Sequence, residues 1–237
     1  MTELSNTLFT VQAYQFRFVR RINRFVAEIH DGKRSYALIR NTGRLVDLLV
    51  PTARCLCIPK AGGKTSYILT GVLVNGDDAA IIDPLLQCRA FETAASRKML
   101  PWMRGWNIVD REVKHENSII DYVIGRGEET GFLETKSAAY FTGYYSTYPD
   151  CPTDRGLRHI KLLSRIALGG RRAVIVFISA HPSARAFSPN AKQDPRIVEA
   201  LIGGQTSGLE IYSMKIHLTE EGRVVIDNPS LPVVVKQ

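Results

Sequence analysis

The sequence predicts a chain of mixed α+β and α/β class with two domains, a small closed β-barrel followed by an α/β domain. Residues 8–83 contain five short apolar runs separated by turns rich in glycine and asparagine. After Asp83-Pro84, patterns typical of strands alternate with patterns typical of helices. The 237 residues are enough for two small domains. We therefore expect a barrel over residues 8–84 and a second domain over residues 85–235.

The composition favours an anionic partner and a reducing compartment. The net charge is +8 and the pI is about 9.4, and nucleic acid is the commonest partner of basic proteins. No apolar run reaches the length of a membrane span, and residues 1–10 lack the pattern of a signal peptide. The four cysteines have no Cys-X-X-Cys spacing, which favours free thiols over a zinc site. We expect a cytoplasmic protein that binds nucleic acid, DNA rather than RNA, and no membrane.

The barrel prediction depends on the five apolar runs, at residues 16–19, 25–29, 35–39, 55–58 and 67–74. Five strands within so short a segment, joined by glycine-rich turns, predict a five-stranded barrel of the OB type. Such barrels commonly bind nucleic acid through basic and aromatic side chains. Arg17, Arg20 and Arg40 are candidates for those contacts. The alternative is that these arginines only solvate the surface of the barrel.

A helix and a strand lead into the centre of the second domain. Residues 85–100 have the spaced apolar pattern of a helix, which Pro101 ends. Residues 108–114 follow as a strand, and Glu112 on that strand is a candidate catalytic acid.

The central feature of the chain is a predicted hairpin. Apolar runs at 119–124 and 132–137 flank the turn 125–131, which is rich in glycine and acid. Side chains alternate across a strand, so Glu134 and Lys136 project from one face. With the turn near Gly127, Asp121 lies opposite Glu134. The hairpin thus gathers two carboxylates and one ammonium.

This arrangement has a chemical interpretation. Two close carboxylates repel each other, and a hard cation such as Mg²⁺ or Mn²⁺ resolves that conflict. Asp121 and Glu134, with the backbone carbonyl of Thr135, are the predicted metal ligands, and Lys136 would stabilise charge on a phosphate. Asp followed by Glu-X-Lys on the next strand is typical of the PD-(D/E)XK nuclease fold. Short matches also arise by chance, and the alternative is an edge hairpin whose charges face water.

The helix predicted over residues 153–168 carries a cationic stripe. At about 3.6 residues per turn, Arg155, Arg158, Lys161 and Arg165 fall on one side and the leucines and isoleucine on the other. Such a stripe suits a phosphate backbone, although a solvated surface helix has the same pattern. Beyond it we expect a buried strand at 173–178, a helix at 194–202 and strands at 209–215 and 223–226.

Several motifs follow one another across nearly the whole chain. They are Asn41-Thr42-Gly43, Glu112-Val113-Lys114, Ile120-Asp121-Tyr122, Leu133-Glu134-Thr135-Lys136-Ser137, Tyr148-Pro149-Asp150, Arg155-Gly156, His159 and Arg185-Ala186-Phe187-Ser188-Pro189. In this order the chain resembles the sugar fermentation stimulation protein A (SfsA) family. The resemblance implies an OB-like barrel, a PD-(D/E)XK nuclease-like domain, DNA binding without strong sequence preference and a link to the control of sugar-utilisation genes.

The resemblance also implies roles for individual residues. Asp121 and Glu134 match the metal carboxylates of the family, and Lys136 matches its catalytic lysine. Glu112 matches an acid on the preceding strand. Arg155 and His159 match a polar helix that would contact nucleic acid. The chain departs from the family pattern at Arg40, where proline is common, and at Cys88 and Thr135.

Two functions remain open at this level. In the first, the chain is an enzyme that cleaves phosphodiesters with the aid of Mg²⁺ or Mn²⁺ at Asp121, Glu134 and Lys136. In the second, it is a non-catalytic DNA-binding regulator built on a nuclease-like fold. The complete set of three residues favours the first, because a pure binder gains nothing from carboxylates that face phosphates.

Overall fold

The computed structural model describes residues 6–235, and its first half contains the predicted barrel. Strand β1 (Thr7–Thr10) precedes the barrel, whose five strands are β2 (Tyr14–Asn23), β3 (Val26–His30), β4 (Arg34–Leu38), β5 (Arg54–Pro59) and β6 (Tyr67–Asn75). They pair in the order β4-β3-β2-β5-β6, and β4 also pairs with β6 in parallel. This last pairing closes the barrel and leaves no free strand edge. The predicted five-stranded OB barrel is confirmed.

Alternation along β2 shows how the sequence builds the barrel. Phe16 and Phe18 are buried, whereas Arg17, Val19 and Arg20 are exposed. Successive side chains of a strand point to opposite faces, so the phenylalanines fill the barrel and the arginines cover its outside.

The second half is a mixed sheet with few helices. Its elements are β7 (Asp78–Ile81), α1 (Pro84–Ser96), a single 3₁₀ turn (Pro101–Met103), β8 (Asn107–His115), β9 (Ser118–Arg126), β10 (Glu129–Ala138), β11 (Tyr140–Phe141), β12 (Tyr145–Tyr148), α2 (Asp154–Leu168), β13 (Arg172–Ser179), β14 (Ala186–Pro189), α3 (Pro195–Thr206), β15 (Glu210–Thr219) and β16 (Arg223–Asn228). The main strands lie in the order β7-β15-β13-β10-β9-β8, while β11, β12 and β14 form a small separate sheet. Strands β10, β13 and β15 are mutually parallel.

Barrel and mixed sheet are continuous, because β7 pairs with both β6 and β15. Helix α1 packs on one face of the mixed sheet, where Phe91 joins Leu133 and Val174 in one buried cluster. Helices α2 and α3 pack on the other face, where Ile160 and Phe177 belong to a second cluster. Strand β13 is buried on both faces, as its unbroken apolar run predicts.

The structure differs from the sequence predictions mainly at element ends and at short strands. Helix α1 ends at Ser96 rather than near Leu100. Lys98 adopts a left-handed conformation with φ of 58°, and the Met99 amide donates to the Ala94 carbonyl, which is the backbone pattern that ends many helices. The sequence analysis also missed β1, β7, β11, β12 and β14, which have at most four residues each and thus too few for a periodic signal. Within residues 6–235, no helix is long and apolar enough to cross a membrane.

Candidate functional site

The candidate site lies where β9 and β10 separate. The two strands pair from Arg126 and Glu129 as far as Tyr122 and Leu133. Strand β13 continues to pair with β10 on its other side as far as Ala138. The edge of β10 beyond Leu133 therefore opens on the β9 side, and polar side chains occupy the opening.

The acids of β9 and β10 take over the hydrogen bonds that the strands no longer exchange. The Asp121 amide donates to Glu134 Oε2 over 3.1 Å. The Thr135 amide and hydroxyl donate to Asp121 Oδ2 over 2.8 and 2.6 Å. Because the amide and carbonyl of one strand residue point to the same neighbour, the Thr135 carbonyl also faces the edge where Asp121 lies.

A buried ionic network lies beside these contacts. Glu134 is 1% exposed, and its Oε1 accepts hydrogen bonds from Lys136 Nζ and contacts His159 Nδ1. Lys136 Nζ and His159 Nδ1 are 3.4 Å apart. Helix α2 positions His159 because residue 159 falls on its buried face. Glu134 and Lys136 share one face of β10, as their spacing predicts.

The two acids differ in their electrostatics. Burial alone would raise the pKa of Glu134, but the Lys136 ammonium and the contact with His159 lower it to about 2. Burial opposes the charge of Lys136 as well, yet attraction to Glu134 raises its pKa above the ordinary value. Burial, followed by repulsion from Glu134, raises the pKa of Asp121. Glu134 and Lys136 thus form a stable ion pair, and Asp121 is the acid with an unfavourable negative charge.

The donor set suits a hard cation. Asp121, Glu134 and the Thr135 carbonyl offer oxygen atoms only, and such cations bind through one or two carboxylates with retained water. Across the described part of the chain, no group of three or more His, Cys, Asp or Glu side chains is arranged to hold a metal ion. A cation here would need the backbone carbonyl and water to complete its coordination.

Glu112 occupies a neighbouring position on β8. Its flanking residues pair with β9 so that Glu112 falls opposite Asp121. Its side chain is exposed, its φ is 51°, and it makes no ion pair or hydrogen bond with another of residues 6–235. The structure therefore brings Glu112 alongside the site without joining it to the network.

Sequence reasoning missed two groups from α1 that border the site. Cys88 Sγ lies 3.7 Å from Thr135 Oγ1, and burial raises the pKa of this thiol. Glu92 accepts a hydrogen bond from the Tyr122 hydroxyl over 3.2 Å and pairs with Arg111. Only their common helical face, one turn apart, could have indicated that both reach this side of the sheet.

The cationic stripe of α2 is on the surface. Arg155, Arg158, Lys161 and Arg165 are all exposed. The buried face of the helix carries Ile160, Leu162, Leu163 and Ile166. Arg165 pairs with Glu116 over 2.6 Å. Because His159 lies on the same helix, the stripe adjoins the network of Glu134 and Lys136.

The three barrel arginines have different environments. Arg17 is exposed and contacts the Thr52 carbonyl over 3.4 Å. Arg20 shares the buried carboxylate of Glu28 with Arg34. Arg40 pairs with Asp83, whose side chain is fully buried and caps α1. Arg40 therefore has a structural partner in the protein, which the sequence analysis did not foresee.

A closed OB barrel joined to a nuclease-like mixed sheet defines the class of this protein. Residues 19–82 match the SfsA N-terminal OB domain, and residues 85–222 match the sugar fermentation stimulation protein RE domain. The chain belongs to the sugar fermentation stimulation protein (SfsA) family, as its motifs predicted.

Known relatives are similar over almost their full length. A sugar fermentation stimulation protein homolog of Pyrococcus furiosus is 44% identical over 209 residues, which are 88% of this chain and 90% of the relative. A homolog of Archaeoglobus fulgidus is 41% identical over 230 residues, covering 96% of this chain and 99% of the relative. The solved structure of Pyrococcus furiosus SfsA in complex with Ca²⁺ superposes with a TM-score of 0.92 at 41% identity, covering 96% of this chain and 99% of that chain.

Proposed function

We propose that this protein is a divalent-metal-dependent phosphodiesterase that acts on nucleic acid, DNA in preference to RNA. The observation that carries the proposal is the meeting of Asp121, Glu134 and Lys136 at the opening between β9 and β10. A binding surface for phosphates has no use for two carboxylates, whereas a metal-dependent hydrolase needs them.

Asp121, Glu134 and the Thr135 carbonyl would hold the cation. The raised pKa of Asp121 supports this, because a cation relieves the repulsion between the two acids. The similar SfsA of Pyrococcus furiosus was solved with Ca²⁺, a cation that takes the same type of oxygen ligands as Mg²⁺. Bound there, Mg²⁺ or Mn²⁺ would activate water and neutralise charge on a phosphate.

The other residues have separate tasks. Lys136 keeps its proton because Glu134 stabilises the ammonium, so it acts as a fixed positive charge toward a phosphate. His159 holds Glu134 in place from α2. The cations of α2 and the outer face of the barrel contact the backbone of the nucleic acid, which gives affinity without reading sequence.

One observation favours a second function, a DNA-binding regulator of sugar-utilisation genes without catalysis. The protein itself already occupies both oxygens of Glu134, Oε1 with Lys136 and His159 and Oε2 with the Asp121 amide. A carboxylate satisfied in this way can serve the fold alone.

Cleavage assays separate the two functions. End-labelled single- and double-stranded DNA and RNA are incubated with Mg²⁺, Mn²⁺ or EDTA and wild type, Asp121→Asn or Lys136→Met. Asp154→Asn is the matched control, because this exposed carboxylate of α2 lies outside the network. We expect the wild type to cleave only when metal is present. The cleavage rate should fall by about a hundredfold or more in both site variants, and Asp154→Asn should cleave at the wild-type rate.

A second readout tests the metal without catalysis. Ca²⁺ should raise the melting temperature of the wild type and of Asp154→Asn, and should have little effect on Asp121→Asn. Salt-sensitive DNA binding by the wild type with no cleavage under any metal refutes the enzyme and leaves the regulator.

A further inference from the structure

A cavity of about 360 Å³ lies between the barrel and the second domain, directly beside the candidate site. The barrel contributes the loop from Arg40 to Leu45, and the second domain contributes the segment from Thr147 to Arg155. Lys136 lines the cavity as well. The ammonium of the candidate site thus forms part of one wall.

Two buried polar atoms in this wall have no partner in the described chain. They are Ser137 Oγ and Arg40 Nε, and both residues line the cavity. Buried polar groups are nearly always hydrogen-bonded, so an unpaired one needs an explanation. Both residues border the cavity, so its wall contains polar groups with unused capacity for hydrogen bonds.

The charge of the cavity selects an anion. Arg155 lines it, is exposed and has no acidic partner among residues 6–235. Helix α2 begins at the cavity, just after Thr153, and the N-terminal end of a helix carries a partial positive charge. At the start of α1, the buried Asp83 carboxylate already occupies the corresponding position. Asp150 is the one carboxylate among the lining residues.

The remaining wall of the cavity carries aromatic and polar side chains that suit a nucleic-acid base. Tyr140 and Tyr148 line the cavity beside Asn41 and Thr42. Aromatic rings stack on nucleic-acid bases, and amide and hydroxyl groups bond to their edges. The volume lies near the lower end of the range of about 300–1,000 Å³ for small-molecule sites, so it suits one nucleotide and excludes a duplex.

The cavity is bounded by well-held loops. Arg21 donates to the carbonyls of Gly43 and Asn41 over 2.7 and 3.1 Å. A side chain at Gly43 would collide with the Asp150 carboxylate, which accepts from the Leu45 amide over 3.3 Å. A pocket held in this way is preorganised, which favours binding.

We propose that this cavity, which we call the junction pocket, binds one unpaired nucleotide next to the phosphate at Lys136. This inference rests on the proposed function and narrows its substrate to nucleic acid with a strand end or another unpaired nucleotide. A fully paired duplex cannot place a base in the junction pocket.

Binding measured in EDTA tests the proposal apart from cleavage. Fluorescence anisotropy gives Kd for a dumbbell duplex whose two ends are closed by ethylene-glycol linkers and which therefore has no unpaired nucleotide, for the same duplex with a one-nucleotide overhang at its 5′ or 3′ end, and for a single strand. We expect at least one of the ligands with an unpaired nucleotide to bind about fivefold or more tighter than the dumbbell, the value of one stacked base.

Three variants locate the effect. Thr42→Trp fills the junction pocket from an exposed position, and Val46→Trp adds the same side chain to the same loop at a residue that does not line it. Thr42→Trp should bind every ligand with the affinity that the wild type has for the dumbbell, whereas Val46→Trp should keep the wild-type preference for an unpaired nucleotide. Ser137→Ala removes an unpaired hydroxyl, so it should fold normally and reduce the preference by about two- to tenfold.

The junction pocket is refuted if the wild type binds all ligands with equal affinity, or if Thr42→Trp keeps the preference for an unpaired nucleotide. Neither result bears on the nuclease proposal, which the cleavage assay tests. A preference that is lost in Thr42→Trp without any cleavage supports the junction pocket and refutes only the enzyme. No binding of any ligand in EDTA overturns the junction pocket, and the cleavage assay with metal decides the enzyme separately.

Discussion

Replacement of Glu134 by Gln tests the buried ion pair directly. The carboxylate is 1% exposed, pairs with Lys136 and contacts His159. Gln keeps the shape of the side chain and removes its charge, so the Lys136 ammonium loses its nearest partner. Removal of one member of a buried pair is strongly destabilising because the other charge stays in the interior.

The lowered pKa of Glu134 sets the magnitude and the pH range. The pKa falls from the ordinary 4.5 to about 2 on folding, and each pKa unit corresponds to about 1.4 kcal/mol. The ionised carboxylate therefore stabilises the fold by about 3 kcal/mol above pH 4.5. Because the folded pKa is lower than the unfolded one, this contribution declines as the pH falls below about 4.5 and is lost near pH 2.

Urea unfolding in EDTA, followed by the fluorescence of Trp102 and Trp106, measures the effect. Glu134→Gln should lower the free energy of unfolding by about 3 kcal/mol at pH 7 and by about 1.4 kcal/mol at pH 3. Glu129→Gln is the control, because this exposed acid pairs with Arg126 at the surface and its loss should cost less than about 1 kcal/mol. An equal loss for Glu134→Gln at pH 7 and pH 3 would show that the charge of Glu134 does not stabilise the fold.

Two further predictions concern the arginines. Arg158→Gln, on the exposed stripe of α2, should reduce the magnitude of the slope of log K against log salt by about 0.9 for duplex DNA. Arg104→Gln is the control, because Arg104 lines a separate cleft with Glu129 and Arg172, where β10 and β13 begin, and its slope should equal that of the wild type. A reduced slope in Arg104→Gln and an unchanged one in Arg158→Gln would place the DNA at that cleft instead of along α2. Arg40→Met should lower the free energy of unfolding by about 3–5 kcal/mol, because Asp83 would be left buried without its partner, and Arg40→Met with Asp83→Asn should recover part of this loss in urea unfolding. If Arg40→Met leaves the free energy of unfolding unchanged, the pair with Asp83 does not stabilise the fold, and the predicted contact of Arg40 with nucleic acid becomes the better explanation of this residue.

The strands that hold the site were predictable because residues close together in the sequence determine them. Side chains alternate along β10, so the two-residue spacing of Glu134 and Lys136 places them on one face in any structure that keeps this strand. The short turn near Gly127 sets the register of the hairpin, and Asp121 therefore lies near Glu134. The same local periodicity predicted the exposed cations of α2.

The partners of these residues were not predictable, because they depend on how distant elements pack. His159 reaches Glu134 only because α2 covers that face of the sheet. Arg40 has the spacing of a surface arginine on the barrel, yet it pairs with the cap of α1, 43 residues away in sequence.

The sequence by itself determined the two-part architecture, the strand faces and the family of this protein, since each follows from periodicity, turn residues and the order of motifs. Tertiary structure alone decided which charges are paired, which edge of β10 is open and that a cavity joins barrel and sheet beside Lys136. The physical reason is that burial and ion pairing are properties of three-dimensional neighbours. Residues far apart along the chain supply those neighbours, and no local pattern records them.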